Sequence, residues 1–326
     1  MCIVIVTPVY NDWVSVNRLI REIDKAPSLD GLQIHMIVVN DGSTDRSGID
    51  RSIGKLKRIR AIETIELVTN LGHQRALAVG LVHAAGLSDV DAVIVMDADG
   101  EDRPEELQNL IAAWRSKPDA VICAQRARRS EGITFRLYYH IYKFAFRMLT
   151  GTIIDFGNFC LIPKPLLRYI VSNGNTWNNL AAMLVRSRLP CVKVPTIRGE
   201  RYAGQSKMNL ISLILHGLSA IAVYCDVALA RLLMLMVVSS GLAIFGVVAV
   251  TMLRFLTDLA VPGWASNVVG SLLIILLQSF IFSAISIFLL LNTRSSRSII
   301  PAVEAQYYIA GIESHRTMTY PLSSVS

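Results

Sequence analysis

Short β-branched runs alternate with amphipathic stretches through the first 125 residues. Ile3 to Val6, Ile34 to Val39, Ile65 to Val68, Ala92 to Met96 and Ala120 to Ala124 read as strands. Between them, Trp13 to Lys25 places Val16, Leu19, Ile20 and Ile23 on one helical face, and Leu77, Leu81 and Val82 supply a second stripe after Gly72. Strands and helices that alternate this regularly predict an α/β fold with a mostly parallel sheet. In such sheets ligands collect where loops leave the carboxyl ends of the strands. Those loops carry the unusual residues here: Thr7-Pro8-Val9-Tyr10-Asn11-Asp12, Asn40-Asp41-Gly42-Ser43-Thr44-Asp45 and Asp97-Ala98-Asp99-Gly100-Glu101-Asp102.

Beyond residue 130 the pattern changes. Arg136 to Leu149 interleaves Arg136, Lys143 and Arg147 with five aromatic rings, and Met208 to Tyr224 is apolar with scarcely a charge. Both suit the lipid headgroup layer. Leu232 to Leu253 then runs 22 residues without a charge and Trp264 to Leu291 runs 28. At about 1.5 Å per residue each exceeds a hydrocarbon core of roughly 30 Å, so both are expected to span it. The resulting division is an α/β domain over 1–206 with an interfacial helix at 136–149, a juxtamembrane helix over 207–227, two spans within 228–293 and a tail over 294–326. In that tail only Gln306 to Ala310 reads as a candidate strand.

Composition agrees with this division. The chain is 52% hydrophobic and 17% charged, with a mean hydropathy of +0.46, which disfavours a disordered or purely water-soluble protein. From Arg231 onward there are five Lys and Arg against three Asp and Glu, so the charge lies in front. Arg231, Arg294 and Arg297 flank the spans while Arg254 alone lies between them. That bias, together with an N-terminus that reads as a strand and not as a signal peptide, predicts both termini on the cytoplasmic side. Of the net charge of +7, the first 230 residues carry +5, with their cations clustered late in that part, which fits a membrane surface or a phosphorylated substrate as well as nucleic acid. Five cysteines without Cys-x-x-Cys spacing indicate neither a disulfide framework nor a zinc site.

Asp97 and Asp99 place two carboxylates on one loop directly after a buried strand, both usable by a hard divalent cation such as Mg²⁺ or Mn²⁺. The alternative is a solvated acidic turn capping the helix that begins near Pro104. Convergence of three acidic loops at one sheet edge favours the site.

These motifs, with Asn70-Leu71-Gly72-His73 and Pro104-Glu105-Glu106, resemble the ordered motifs of family 2 glycosyltransferases with the GT-A fold. Two C-terminal spans and Arg201-Tyr-Ala-Gly-Gln-Ser206-Lys207 narrow the resemblance to the polyprenyl-phosphate branch, which includes dolichol-phosphate mannose synthases and bactoprenol glucosyltransferases. The resemblance implies an inverting hexosyl transfer from a UDP- or GDP-sugar to a membrane polyprenyl phosphate, with Mg²⁺ or Mn²⁺ as cofactor. It implies that Pro8, Tyr10, Asp12 and Asp41 hold the base and ribose, with Asp97 and Asp99 at the metal and diphosphate. Arg126 and Arg136 match arginines that meet the sugar-phosphate and lipid phosphate, and Arg201, Ser206 and Lys207 match a loop that closes over the pyrophosphate. Of these, Asp99, Arg126, Arg201 and Lys207 are the residues expected to carry catalysis; Arg136, Arg201, Ser206 and Lys207 are those expected at the acceptor phosphate. A cationic face docked on anionic lipid is the competing account of Arg126 and Arg201. Relatives assemble as homo-oligomers, so a homo-oligomer, a tetramer among the options, is expected, with Gln306 to Ala310 a candidate for pairing between protomers.

The chain departs from the common family pattern at Gly100, Glu101 and Arg103, which stand where relatives carry Leu, Gln and Pro. Glu101 is expected to join Asp97 and Asp99 as a third carboxylate at the metal. His73 suits a phosphate contact or a helix cap, and Asp155 an acceptor-side carboxylate or a structural N–H acceptor. Three rivals accompany this reading: a family 2 enzyme acting on a hydroxyl acceptor, a non-enzymatic membrane adaptor, and a nucleic-acid binder built on the basic-aromatic stretch. Processive synthases usually carry a Gln-x-x-Arg-Trp motif, which this sequence lacks, and intact Asp41, Asp97 and Asp99 disfavour the adaptor; no nucleic-acid partner is expected.

Overall fold

The computed structural model describes the chain except for residues 30, 51–52, 54–55, 127–142, 204–209, 258–262 and 317–326. It divides into two compact units, the first formed by Met1–Arg136, Ile154–Val223 and Ser298–Ser326, the second by Leu137–Ile153 and Tyr224–Arg297.

In the first unit, β1 (Cys2–Val9) lies inside an eight-stranded sheet, parallel to β2 (Gln33–Asn40) on one side and β4 (Ala92–Val95) on the other. β3 (Ile59–Leu67) extends the parallel run beyond β2. β6 (Cys160–Pro163) is inserted antiparallel between β4 and β5 (Val121–Arg126), and β7 (Cys191–Thr196) closes that edge parallel to β5. The sequence pattern misses β6 and β7 for physical reasons: one has four residues ending in Pro163, and the other is interrupted by Lys193 and Pro195, as an edge strand tolerates. The expectation for the tail needs correction. β8 (Ile309–Arg316) pairs antiparallel with β3 of the same chain, Ile65 opposite Ile312, so the C-terminal segment completes the sheet.

Alternate strand residues feed two cores. Val4, Val6, Ile37, Val39 and Ile65 pack with α2 (His73–Gly86), α5 (Lys164–Ser172) and α6 (Leu180–Ser187). Ile3, Ile5, Ile34, Met36 and Val38 pack with α1 (Trp13–Lys25) and α3 (Leu107–Ser116). Burial on both faces is why these strands read as unbroken apolar runs and not as alternation. Gly80 sets the approach of α2, since a Cβ there would stand 2.5 Å from Val6 Cγ1 and 2.8 Å from Val39 Cγ2. The helix α7 (Leu210–Val223) follows, with Leu215 and Leu218 exposed.

In the second unit, α8 (Cys225–Leu256) and α9 (Trp264–Ser295) pack side by side and are long and apolar enough to cross a membrane. Only 6% and 11% of their most apolar 18-residue windows is buried, unlike core helices of a water-soluble domain. Small and polar residues make the seam: Ser239 and Ser279 share a 2.9 Å hydroxyl hydrogen bond, and Ala243 and Ser286 are buried. Helix α4, described over 143–150, ends at Gly151, whose backbone has φ +77°. Arg231 caps that end by donating to the carbonyls of Met148 at 2.8 Å and Arg147 at 3.4 Å. A cation at a helix C-terminus satisfies orphan carbonyls and complements the dipole. Arg231, read from sequence as a topology marker, thus also fixes a helix end.

Candidate active site

The loops at the carboxyl ends of β1, β2 and β3 are laced together before any ligand arrives. Asn11, held at φ +50°, donates its backbone N–H to Ser43 Oγ at 2.9 Å and accepts the Asp45 N–H on Oδ1 at 2.9 Å. Trp13 Nε1 adds a bond to the Asp45 carbonyl at 3.0 Å. Asp41 is buried, and its two oxygens accept the N–H groups of Leu71 at 2.7 Å and Gly72 at 3.0 Å. Burial raises the Asp41 pKa, and those two amides oppose the rise. Gly42 has to be glycine, because its φ is +66° and a Cβ would lie 2.7 Å from Asn70 N.

Between these loops and the β4 loop opens a cavity of about 160 Å³, lined by Pro8, Val9, Tyr10, Asp12, His73, Asp97, Ala98, Asp99 and Arg201. The loop after β4 is closed by Asp102, a buried carboxylate that accepts the Asp97 N–H at 2.9 Å. Asp97 Oδ1 is buried without a hydrogen-bond partner and lies 3.4 Å from His73 Nε2. Asp99 accepts the Glu101 N–H at 2.9 Å and faces Arg201 Nη2 at 3.2 Å. Its pKa is raised, first by burial and then by the charge of Asp97, with the Glu101 amide and Arg201 acting the other way.

Of the residues expected from sequence, Pro8, Tyr10, Asp12, Asp97, Asp99 and Arg201 converge on this cavity. Asp12 also caps α1, accepting the Ser15 N–H at 3.4 Å. Two of the expected residues have their carboxylates engaged by neighbouring loops in this structure. The carboxylate of Asp41 is turned to the loop before α2 and braces the site from behind. Glu101 is absent from the cavity lining that holds Asp97 and Asp99, and its Oε2 accepts from the guanidinium of Arg198, with Nε at 2.9 Å. The side chain of Arg126, and the whole of Arg136, Ser206 and Lys207, lie outside the described residues. Asp155 takes the structural alternative, accepting from Gln125 Nε2 at 2.7 Å and Lys193 Nζ at 2.8 Å.

Sequence reasoning missed Arg198, Tyr202 and Arg18. The Arg18 guanidinium lies 4.5 Å from the centroid of the Tyr202 ring, and Tyr202 N–H bonds to the Asp99 carbonyl at 2.7 Å. The available signal was the crowding of Arg198, Gly199 and Arg201 around one short loop.

A divalent cation fits Asp97 and Asp99. Both are hard oxygen donors on one loop, one with an orphaned buried oxygen, and Mg²⁺ commonly takes one or two carboxylates and completes its shell from waters and phosphates. Among the described residues no three His, Cys, Asp or Glu side chains converge on one metal position, which agrees with Glu101 standing apart.

Comparison with known proteins follows the same lines. An uncharacterized glycosyltransferase of Bacillus subtilis, YkcC, is 25% identical over 282 residues, covering 82% of each chain. An undecaprenyl-phosphate 4-deoxy-4-formamido-L-arabinose transferase from an Enterobacter species is 27% identical over 278 residues, 83% of this chain and 81% of its own. Among solved structures, glucosyl-3-phosphoglycerate synthase from Mycobacterium tuberculosis, in complex with Mn²⁺, UDP-glucose and phosphoglyceric acid, aligns over 71% of this chain and 79% of its own, at 16% identity and a TM-score of 0.47. The family model for glycosyl transferase family 2 matches residues 4–166, the span that supplies β1 to β6 and all three aspartates of the cavity, and the chain belongs to that family.

Proposed function

We propose that this glycosyltransferase moves a sugar from a UDP- or GDP-sugar to a membrane polyprenyl phosphate, with inversion at the anomeric carbon. The observation that carries the reading is one cavity holding both carboxylates of an Asp-x-Asp loop against Arg201. Relatives named as undecaprenyl-phosphate sugar transferases support the acceptor class. So do two helices long and apolar enough to span a bilayer, since a lipid acceptor requires its enzyme at the headgroup plane and a soluble one does not.

Pro8, Tyr10 and Asp12 line the place of the nucleoside, and Asp41 holds the supporting loop. Asp97 and Asp99 hold Mg²⁺ or Mn²⁺, which when bound neutralises charge on the leaving diphosphate. Arg201 leaves Asp99 for a donor phosphate, where a guanidinium fork binds bidentately. Arg126, Arg136, Ser206 and Lys207 are assigned to the sugar-phosphate and lipid phosphate. The acceptor needs no general base: the second pKa of a phosphate monoester is near ~6, so its oxygen is already largely anionic at neutral pH. Both termini face the cytoplasm and the enzyme works as a homo-oligomer.

A thermal-shift panel of UDP- and GDP-sugars with Mn²⁺ on the detergent-purified protein tests the donor. A true donor raises the melting point by mass action, since a hundredfold excess over Kd stabilises the folded state by about 2.7 kcal/mol. No shift with any nucleotide-sugar would refute the reading.

A further inference from the structure

Glu101 and Arg198 stand beside the cavity with no part in the scheme above. Arg198 grips Oε2 of Glu101 through Nε at 2.9 Å and through Nη2, and the two side chains are 30% and 14% exposed. The contact sits within a strap. Tyr202 N–H bonds the Asp99 carbonyl at 2.7 Å and Gly199 N–H bonds the Glu101 carbonyl at 2.9 Å, a short ladder between the two loops. Ile197 N–H adds a bond to Glu106 Oε1 at 3.1 Å. The approach is close enough to require glycine on both sides. A Cβ on Gly199 would stand 2.2 Å from the Gly100 carbonyl oxygen, and one on Gly100 would stand 2.7 Å from Tyr202 Cδ1.

We propose that Arg198 is a positioning residue that withdraws Glu101 from the metal site and fastens the 197–202 segment carrying Arg201, leaving a site of two carboxylates, Asp97 and Asp99. This inference rests on the donor reading above. Charge arithmetic supports it. Three free carboxylates around a divalent cation leave one net negative charge facing an anionic diphosphate, whereas the Glu101–Arg198 pair is neutral. The pair therefore does electrostatically what a neutral amide at position 101 would do, and it adds a tie to the segment that a neutral amide would lack. An isolated surface ion pair would be weak evidence; here the pair is mostly withdrawn from solvent and reinforced by the backbone ladder.

The test is Mn²⁺ binding to the full-length protein in detergent without nucleotide, read from the EPR signal of free Mn²⁺. Arg198→Gln releases Glu101 and should tighten Mn²⁺ by about tenfold, a gain that a purely structural residue would not produce. The charge-conserving double variant Glu101→Gln with Arg198→Gln should bind Mn²⁺ within about threefold of wild type. If the double variant loses more than about tenfold while wild type binds, Glu101 is a ligand and the inference falls alone. If Arg198→Gln weakens Mn²⁺ or leaves it unchanged, the inference also falls. If wild type binds no Mn²⁺ with or without UDP- and GDP-sugars, the donor reading falls with it. Melting curves of all variants identify any loss due to unfolding.

Discussion

Arg201 Nη2 lies 3.2 Å from Asp99 Oδ2, so a cation of the basic loop holds one carboxylate of the Asp-x-Asp loop. Arg201 Nε is buried with no hydrogen-bond partner, which leaves part of the guanidinium fork unused in this state. Under the proposed function, donor binding resolves both by giving Arg201 a phosphate and Asp99 a metal. Arg201→Ala should therefore lower single-turnover transfer by about a hundredfold or more, the scale of losing one transition-state charge donor. A fall of less than about threefold would remove Arg201 from catalysis.

Asp99→Asn should abolish metal-dependent transfer without destabilising the fold. The raised pKa of Asp99 means that the folded state takes up its proton more readily than the unfolded chain. Its contribution is full below the ordinary 3.8 and is lost as pH rises through the raised value, so at neutral pH the ionised carboxylate is a burden on the donor-free protein. The melting point of Asp99→Asn at pH 7 should equal or exceed that of wild type. A drop of more than about 3 °C, roughly 1 kcal/mol for a domain of this size, would contradict this.

Asp155→Asn should keep most of kcat. Its carboxylate is held by Gln125 and Lys193 between β5 and β7, so the loss should appear in stability, by about 1 kcal/mol for a partly exposed charge-assisted pair. A thousandfold fall in kcat with donor binding intact would instead mark a base and point to a hydroxyl acceptor.

Gly80→Ala should destabilise by about 1–3 kcal/mol through overpacking of α2 on β1 and β2. Denaturant melts of the detergent-purified protein check this. A neutral result would mean that the helix can move off Val6 and Val39 at little cost.

The parallel half of the sheet was legible because Ile3 to Val6, Ile34 to Val39 and Ala92 to Val95 are buried on both faces and bounded by acidic loops. β8 was not, since Ile-Ala-Gly-Ile-Glu-Ser-His-Arg is an edge strand with a solvated face and pairs with residues about 250 positions away. The same split holds at the site. Asp97 and Asp99 announce themselves by spacing, whereas the roles of Asp41 and Glu101 depend on partners from other loops, Leu71, Gly72 and Arg198, that no local pattern reveals.

The central claim is that the attacking group is a lipid phosphate. Single-turnover transfer from the donor found by thermal shift should be compared on a short-chain polyprenyl phosphate and on the matching polyprenol. The account predicts a polyprenyl-phospho-sugar from the first and no product from the second. Transfer to the polyprenol, with the phosphate inert, would contradict it.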